Sequence, residues 1–241
     1  MGTKSVILFL VEGASDEAAF GTIFEKIFDK NSVKMAITRG DITTRNDVEK
    51  SNVLNKLEDF IDDYLGKYGF EWGDLVKIFH ITDMDGCAIS DEFVKQCDDR
   101  GVFYYADHIE TDNVSGIVER NNKKADILFK LSKENYVHKV PYGIYFNSCN
   151  LEHVLFDRLE NISADEKMDL ADEFAEKYEN DIDAFISFIN DESLAVKGSY
   201  ADGWKYILKR NQESLHRHSN MHQIIKEHIG CDHVSEDENE K

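Results

Sequence analysis

Three apolar stretches constrain the fold of this chain more than any other feature of its sequence. They span residues 5–11, 76–82 and 142–146, and the first is apolar without a break after its opening serine. A strand with one solvated face alternates apolar and polar residues, whereas an unbroken apolar run is typical of a strand that is covered on both faces. The pattern therefore predicts a parallel sheet between two layers of helices.

Amphipathic helical patterns separate these stretches. After the first stretch, apolar residues recur at helical spacing between positions 20 and 28, and a second helix is expected over 48–65, after a strand over 33–38. Strands that alternate with helices predict right-handed crossovers. We therefore expect an α/β fold with an open, mainly parallel sheet flanked by helices.

The remaining chain is irregular at first and then mainly helical. Before the third apolar stretch, the expected elements are a helix over 90–97, a strand over 102–105, a polar loop over 107–122 and a helix over 125–131. After it, helices are expected over 165–178, 181–190, 201–210 and 221–229. The expected organisation is an α/β domain over 1–160, a helical lobe over 161–231 and an acidic, disordered tail over 232–241.

Carboxylates follow the first two apolar stretches at the point where each strand ends. Glu12 comes directly after one stretch, and Asp83 and Asp85 come after the other. In an open α/β sheet the ligand crevice lies outside the carboxyl ends of the strands, and a D-x-D pair directs both carboxylates to one side of an extended chain. Because hard divalent cations prefer oxygen ligands, the pattern predicts a metal site at this edge. Asp16 and Glu152 extend the set, since each stands in the first turn of a helix that follows a strand.

Each of these acids also has an ordinary interpretation. Asp-Gly is a frequent turn sequence, and an acid in the first turn of a helix is favoured by the helix dipole. For Glu152 the residues leave both interpretations open. His80 and His153 flank the acids, but packing is the commoner role of a lone histidine beside a core strand. The two carboxylate motifs together favour a metal site more than either does alone.

The two motifs resemble the signature of a known family. Val-Glu-Gly-Ala-Ser-Asp at 11–16 and Asp-Met-Asp-Gly at 83–86 each follow an apolar strand. In this they resemble the two motifs of the Toprim domain, which occurs in topoisomerases, primases, OLD-type nucleases and bacterial anti-phage proteins. The resemblance covers about residues 4–155 and implies a Toprim-like sheet domain.

The resemblance also implies a role for each acid. Glu12 would correspond to the Toprim glutamate, and Asp83 and Asp85 to the metal-binding aspartates. Asp16 matches an additional acid of the nuclease branch. These residues would hold Mg2+ or Mn2+, as one ion or two, with Glu12, Asp83 and Asp85 as the catalytic set.

A third segment adds Glu152 to the implied metal ligands. Asn-Ser-Cys-Asn-Leu-Glu-His-Val-Leu at 147–155 is similar to a segment of RloB-like Toprim proteins, in which an acid stands at the position of Glu152. This chain has Ser and Asn where the family pattern has Pro and Phe. The resemblance therefore implies five metal-binding acids, of which the last departs most from the pattern.

The function that these features imply is cleavage of phosphodiester bonds in DNA or RNA by a divalent-metal-dependent nuclease. The resemblance implies phage defence, and because the sequence has no phosphate-binding G-x-x-x-x-G-K-[ST] loop, any ATPase involved would be a separate partner chain. Two alternatives stay open. One is a non-catalytic acidic module that binds a partner and keeps a vestigial metal site; the other is a nucleotidyl or phosphoryl transferase.

The charge of the chain opposes unaided binding to nucleic acid. The 28 basic and 48 acidic residues give a net charge of −20, whereas affinity for a phosphate backbone usually comes from Lys and Arg. Basic residues concentrate in 197–230. The candidate phosphate-binding residues there are Lys205, Lys209, Arg210 and Arg217. Trp204 or Tyr206 could stack on bases, and an ordinary amphipathic surface helix is the alternative.

The cysteines and the lengths of the apolar runs indicate the compartment. The four cysteines stand far apart with no C-x-x-C pair, which argues against a zinc module and a disulfide framework and favours reduced thiols. No apolar run approaches the roughly 20 residues that span a bilayer. We therefore expect a cytoplasmic protein, and nothing in the sequence indicates its oligomeric state.

Overall fold

The computed structural model describes residues 5–28 and 32–228, which form an α/β fold. The strands in chain order are β1 (Val6–Val11), β2 (Ser32–Ile37), β3 (Leu75–Asp83), β4 (Val94–Gln96), β5 (Val102–Tyr104), β6 (Ile109–Thr111), β7 (Tyr136–Val137) and β8 (Val140–Asn147). The main sheet has the order β2, β1, β3, β8, β7. Its first four strands are parallel and β7 is antiparallel to β8, which confirms the expected mainly parallel sheet.

Helices cover both faces of this sheet. They are α1 (Ala14–Ile27), α2 (Val53–Tyr68), α3 (Val114–Leu131), α4 (Leu151–Phe156), α5 (Ala164–Tyr178), α6 (Ile182–Ile189) and α7 (Tyr200–Ile207), followed by a helical segment at 222–228. No helix in the described ranges is long and apolar enough to cross a membrane.

The unbroken apolar run of β1 is explained by two hydrophobic clusters on opposite faces of the sheet. Leu8 and Leu10 belong to one cluster, with α2, α3 and α7. Phe9 belongs to the other, with α1, α5 and α6. Because successive side chains of a strand point to opposite faces, a strand covered on both sides needs apolar residues at every position.

Helices beyond residue 160 pack directly on the sheet and share its clusters. Trp204 is buried and its indole N–H donates to the carbonyl oxygen of Ile144 at 3.1 Å. The backbone N–H of Phe146 donates to Oδ1 of Asn220 at 2.7 Å. Residues 161–228 are thus largely helical, as expected, but they complete the core of the α/β domain. The predicted tail over 232–241 lies outside the described residues.

Two predictions for the middle of the chain are wrong. The helix expected over 90–97 is a short 3-10 turn followed by β4, and the polar loop expected over 107–122 contains β6 and the first half of α3. Asn113 caps α3 by accepting a hydrogen bond from the backbone N–H of Gly116 at 3.1 Å. The helix looks polar in sequence because its inward face carries Asn121 and Lys124, both buried.

Strands β4, β5 and β6 form a small second sheet in the order β4, β6, β5. Its core cluster joins Val94 and Ile109 to Ile89 and Leu215. This small cluster places the segment around Leu215 against the chain that follows β3.

Candidate functional site

The two carboxylate motifs meet at one edge of the main sheet. Strands β1 and β3 are parallel neighbours, so Glu12, after β1, and Asp83, at the end of β3, lie at the same edge. Oε1 of Glu12 accepts hydrogen bonds from the backbone N–H of Asp83 and the hydroxyl of Thr82, each at 2.9 Å. These bonds fix the glutamate across the strand ends.

Asp16 joins this group through the turn between β1 and α1. Gly13 is the N-cap of α1, and Asp16 is the third helical residue. Its Oδ2 accepts a hydrogen bond from the backbone N–H of Gly13 at 3.0 Å, and the residue is only 6% exposed. The carboxylate is therefore held at the helix start, close to Glu12.

Asn147 is a site residue that the sequence analysis did not single out. It pairs with Asp83 in the register of β3 and β8, and its Nδ2 donates to Oδ1 of Asp83 at 3.0 Å. Its own Oδ1 is buried and has no hydrogen-bond partner among the described residues. Because an unpaired buried acceptor is unfavourable, this oxygen is a candidate ligand beside the acids.

The acids at this edge resist ionisation in the absence of a bound cation. Burial raises the pKa of Asp16 to about 7, and the nearby Glu12 carboxylate adds to the effect. Burial also raises the pKa of Glu12 and of Asp83 well above the ordinary range. Lys124 opposes this effect at Glu12, and neighbouring carboxylates add to it at both residues. None of the three forms an ion pair within the described parts of the chain. Such a group gains stability from a cation.

The turn that carries Asp85 is held by backbone hydrogen bonds. Asp85 and Gly86 have positive φ values of 49° and 60°. The N–H groups of Met84 and Asp85 donate to the carbonyl oxygens of Asn147 and Cys149, each at 2.8 Å. The segment after β8 therefore sets the conformation of the turn.

Asp85 faces a buried lysine. Nζ of Lys124 lies 2.6 Å from Oδ2 of Asp85 and 2.7 Å from Oδ2 of Asp41, and the lysine side chain is completely buried. Burial alone would lower the pKa of Lys124, but the two aspartates hold it well above its usual value. One turn earlier in α3, Arg120 donates to the carbonyl oxygen of Asp85 at 3.2 Å. The protein thus provides its own cation for one of the predicted metal ligands.

Lys124, Asp41 and Arg120 were all missed by the sequence analysis. The available signal for the first was an N-cap at Asn113 followed by apolar Val114, Ile117 and Val118, which marks α3. No local signal indicated that Lys124 faces the sheet edge.

Glu152 lies in the first turn of α4, as expected, and is 4% exposed. Its Oε2 is 3.0 Å from Nζ of Lys167 on α5. It contributes to the raised pKa of Asp16 and of Asp83, so it faces the same group of acids. Of the five predicted ligands, Asp85 and Glu152 therefore have ammonium partners, whereas Glu12, Asp16 and Asp83 have none within the described chain.

The flanking histidines are packing residues. Nδ1 of His80 is 2.9 Å from the hydroxyl of Tyr142, and burial lowers the pKa of this histidine to about 4. Burial likewise lowers the pKa of His153 to about 4. His153 is buried in α4 and its Nε2 lies 3.7 Å from a carboxylate oxygen of Asp157.

The four basic residues predicted to bind phosphate have different surroundings. Lys205 and Lys209 line a cavity of about 420 Å3 on α7. Nη1 of Arg210 lies 3.9 Å from a carboxylate oxygen of Asp91, and Arg217 donates to the carbonyl oxygens at the end of α4. Arg217 therefore has a structural role.

The two aromatic candidates for base stacking are also engaged within the fold. Trp204 is 1% exposed, so it cannot stack on a base. Tyr206 donates a hydrogen bond to Glu213. The structure therefore favours the alternative of an ordinary amphipathic helix.

A larger cleft opens beside Glu12. Its volume is about 860 Å3. Its charged and tyrosine lining residues include Arg39, Arg45, Lys67, Tyr64 and Tyr68, together with the acids Glu17 and Asp63. The rings of Tyr64 and Tyr68 are 4.6 Å apart, and Tyr68 is 52% exposed. Cationic and aromatic side chains are thus available next to the acid group.

No protein-family model, curated protein or solved structure matches this chain. The function is therefore inferred from the geometry of the acid group and the cleft.

Proposed function

We propose that this protein is a divalent-metal-dependent nuclease with a Toprim-like site at the carboxyl ends of β1 and β3. One observation carries the proposal: Glu12, Asp16 and Asp83 lie at one sheet edge and raise one another's pKa values, with no ion-pair partner in the described chain. Grouping like charges at low exposure is costly unless a cation binds them. Because the grouping destabilises the metal-free fold, a role in binding a cation explains it better than a role in stabilising the fold does.

The donor set fits Mg2+ or Mn2+. All the available groups are oxygens: the three carboxylates and the unpartnered Oδ1 of Asn147. Such ligands suit these hard cations. We assign the first ion to Glu12, Asp16 and Asp83. The oxygens of these three acids are not all within 4.8 Å of one another, so the side chains would have to move closer together when the ion binds. A second ion at Asp85 or Glu152 would compete with Lys124 or Lys167, which already neutralise those acids.

The chemistry divides between the ion and the chain. When bound, the ion would make a water more acidic and neutralise charge on the phosphate. Thr82 and the Asp83 backbone fix Glu12, and Asn147 orients Asp83. Lys124 holds the Asp85 carboxylate through its 2.6 Å contact. These contacts fix Glu12, Asp83 and Asp85 at the strand ends.

The cleft beside Glu12 is the proposed substrate path. Arg39 and Lys67 would contact phosphates, and Tyr68 offers an exposed ring to a base. Arg45 borders the same cleft, but its guanidinium donates to the carbonyl oxygen of Thr38. We propose this cleft in place of Lys205, Lys209, Arg210 and Arg217. Because the whole chain carries a charge of −20, binding should depend on these few local cations and on divalent ions. A role in phage defence with a partner ATPase belongs to the same proposal.

A non-catalytic module is the second candidate, and Lys124 is the observation that favours it. A buried ammonium between Asp41 and Asp85 resembles an internal replacement for an ion. In that case the site would be structural and the acidic surface would bind a partner. The two candidates differ in whether metal binding is accompanied by cleavage.

The direct test is cleavage by the purified full-length chain. Single-stranded DNA, duplex DNA, RNA and a nucleoside triphosphate are each incubated with EDTA, Mg2+ or Mn2+. We expect cleavage of a polynucleotide only with a divalent ion. The Glu12→Gln and Asp83→Asn variants should lose about 100-fold or more of the rate, since even an outer partner of a metal ligand typically contributes 10–100-fold.

The control is Asp183→Asn, which removes an exposed carboxylate on α6. It should cleave like the wild type. Unchanged cleavage in Glu12→Gln and Asp83→Asn would reject the site. Metal binding by the wild type without cleavage of any substrate would favour the non-catalytic module.

A further inference from the structure

A second group of metal-ligating side chains lies outside the acid site. Among the described residues, one set of three His, Cys, Asp or Glu side chains has all its ligand atoms within 4.8 Å of one another: Glu213, His216 and His218. Oε2 of Glu213 lies 3.5 Å from Nδ1 of His216 and 3.1 Å from Nε2 of His218. The group follows α7, in the connection to the last helical segment.

We propose that Glu213, His216 and His218 form a binding site for Zn2+ or a similar transition-metal ion. Two imidazoles and one carboxylate are a donor set that zinc uses, whereas Mg2+ prefers oxygen ligands alone. With metal–ligand bonds of about 2.0–2.1 Å, neighbouring ligands of a tetrahedral ion lie about 3.3 Å apart. The two separations that involve Glu213 bracket this value, and the ligand nitrogens of the two histidines lie within 4.8 Å of each other.

The backbone holds these ligands in place. Glu213 belongs to a 3-10 helix, Gln212–Leu215, whose first residues are capped by Asn211, with Oδ1 accepting from the Glu213 N–H at 3.1 Å. The His218 N–H donates to Oγ of Ser148 at 3.0 Å, and the Ser148 N–H donates to the His218 carbonyl oxygen at 2.9 Å. Tyr206 is the outer partner, since its hydroxyl donates to Glu213.

Solvent can reach the site, and one coordination position stays available. The His216 side chain is 46% exposed, whereas those of Glu213 and His218 are about one-fifth to one-quarter exposed, at 24% and 20%. Three protein ligands leave the fourth position of a tetrahedral ion to water or to another ligand. The ion would therefore bind from the surface without unfolding the segment.

The proposed zinc site is coupled to the Asp83–Gly86 turn. Oγ of Ser148 accepts a hydrogen bond from the backbone N–H of His218. The carbonyl oxygen of the same residue accepts a hydrogen bond from the Gly86 N–H in the turn at 3.3 Å. Leu215, between two of the ligands, is fully buried against the same turn. Zinc would thus fasten the 212–218 segment to the turn. This inference does not depend on nuclease activity.

The test is metal binding by the untagged full-length chain after removal of metals with a chelator. Calorimetric titration should show one tight Zn2+ site per chain, and Co2+ should give the visible absorption of a tetrahedral complex. We expect His216→Ala with His218→Ala to lower the Zn2+ affinity by about 100-fold or more, and Tyr206→Phe to lower it by about tenfold. Zn2+ should raise the Tm of the wild type but not of the double variant.

The matched control is His108→Ala. His108 also has two carboxylate neighbours, Asp107 at 2.6 Å and Glu110 at 3.2 Å, but lacks a second histidine ligand. This variant should bind Zn2+ like the wild type. That result would show that the Zn2+ affinity comes from the three ligands and not from the general attraction of cations to an acidic surface. If the double variant does not fold, His216→Ala alone serves, because its side chain is nearly half exposed. Zn2+ affinity unchanged in that variant, or a Co2+ spectrum without tetrahedral bands, would overturn the proposal.

Discussion

At the residue scale, Lys124 decides how the acids of this protein are arranged. Its ammonium group has no exposure and lies within 2.7 Å of carboxylates from two separate loops. Burial alone would raise the pKa of Asp41, but Lys124 holds it below its ordinary value. The same ammonium draws the Asp85 carboxylate towards α3, which leaves Glu12, Asp16 and Asp83 as the group without an ion-pair partner in the described chain.

Removal of this charge should be strongly destabilising. Lys124→Met leaves Asp41 and Asp85 unpaired at low exposure, and the loss of one partner of a buried pair typically costs about 3–5 kcal/mol. We expect a decrease of that size in the unfolding free energy, measured by urea denaturation in EDTA. Mg2+ should restore part of the loss, because a cation can take the place of the ammonium.

The neighbouring lysine is the control. Nζ of Lys123 lies 3.4 Å from an exposed Glu49 carboxylate, and its side chain is 25% exposed. Lys123→Met should cost at most about 1 kcal/mol, as is usual for surface ion pairs. Equal losses in the two variants would contradict the central role of Lys124.

At the element scale, the turn after β3 is enclosed by two segments that are distant in sequence. Residues 147–149 accept its backbone N–H groups, and Leu215 packs against Gly86 from the other side. Gly86 has a φ of 60° and no room for a side chain. The enclosure explains why a turn with two residues at positive φ is stable here, since packing and hydrogen bonds compensate for backbone strain.

Gly86→Ala separates packing from strain. An added methyl group would collide with Leu215, and overpacking typically costs about 1–3 kcal/mol in addition to the strain at positive φ. We expect the unfolding free energy to fall by about 2–4 kcal/mol in total, measured by thermal or urea unfolding.

Gly69→Ala is the control, because it introduces backbone strain at a positive φ without a steric collision. Gly69 ends α2 with a φ of 69°, nearly the same as Gly86, and a methyl group added there would meet no other atom within 4 Å. It should cost about 1 kcal/mol. A Gly86→Ala variant no less stable than Gly69→Ala would show that the turn is not packed as described.

At the scale of the whole molecule, the excess of acids makes stability depend on pH and on cations. The chain carries a net charge of −20, and the pKa values of Glu12, Asp16 and Asp83 are raised in the folded state. An acid with a raised pKa binds a proton in the folded protein at a pH where the unfolded chain has released it. Its contribution therefore favours folding at low pH and is lost as the pH rises.

The contribution of the acid group to the stability of the metal-free protein should decrease between pH 5 and pH 8, whereas His80 and His153, whose pKa values burial lowers to about 4, contribute in the opposite direction. The pKa of Asp16 is about 7 in the fold against an ordinary 3.8, so its share of stability falls over this window and is gone above it. Mg2+ competes with protons for the same oxygens, so it should raise the Tm at pH 8 and have little effect at pH 5. Thermal unfolding with EDTA or Mg2+ across this range measures both effects.

Asp16→Asn is the control for this pH dependence. An amide keeps an oxygen acceptor for the Gly13 N–H but does not titrate. Relative to the wild type in EDTA, the variant should gain stability as the pH rises from 5 to 8, and its response to Mg2+ should be smaller. A difference in Tm between the two proteins that does not change with pH would contradict the pKa argument.

The main sheet and the position of its first acids follow from local patterns in the sequence. The unbroken apolar run of β1 predicts a strand that is buried on both faces, as the structure has it. The apolar stretch of β3 likewise predicts a strand, which ends at Asp83. Glu12 and Asp83 could therefore be placed at one sheet edge. These features depend on patterns within about ten residues of the chain.

Which charges face one another depends on the tertiary structure and not on local sequence patterns. Lys124 lies 39 positions from Asp85, Asn147 lies 64 positions from Asp83, and Ser148 contacts His218 across 70 positions. No local pattern encodes these pairs, because they depend on how α3, β8 and the last segment dock on the sheet. The local sequence around a polar residue does not indicate whether its side chain faces solvent or a buried partner. The docking of distant elements determines which of the two occurs.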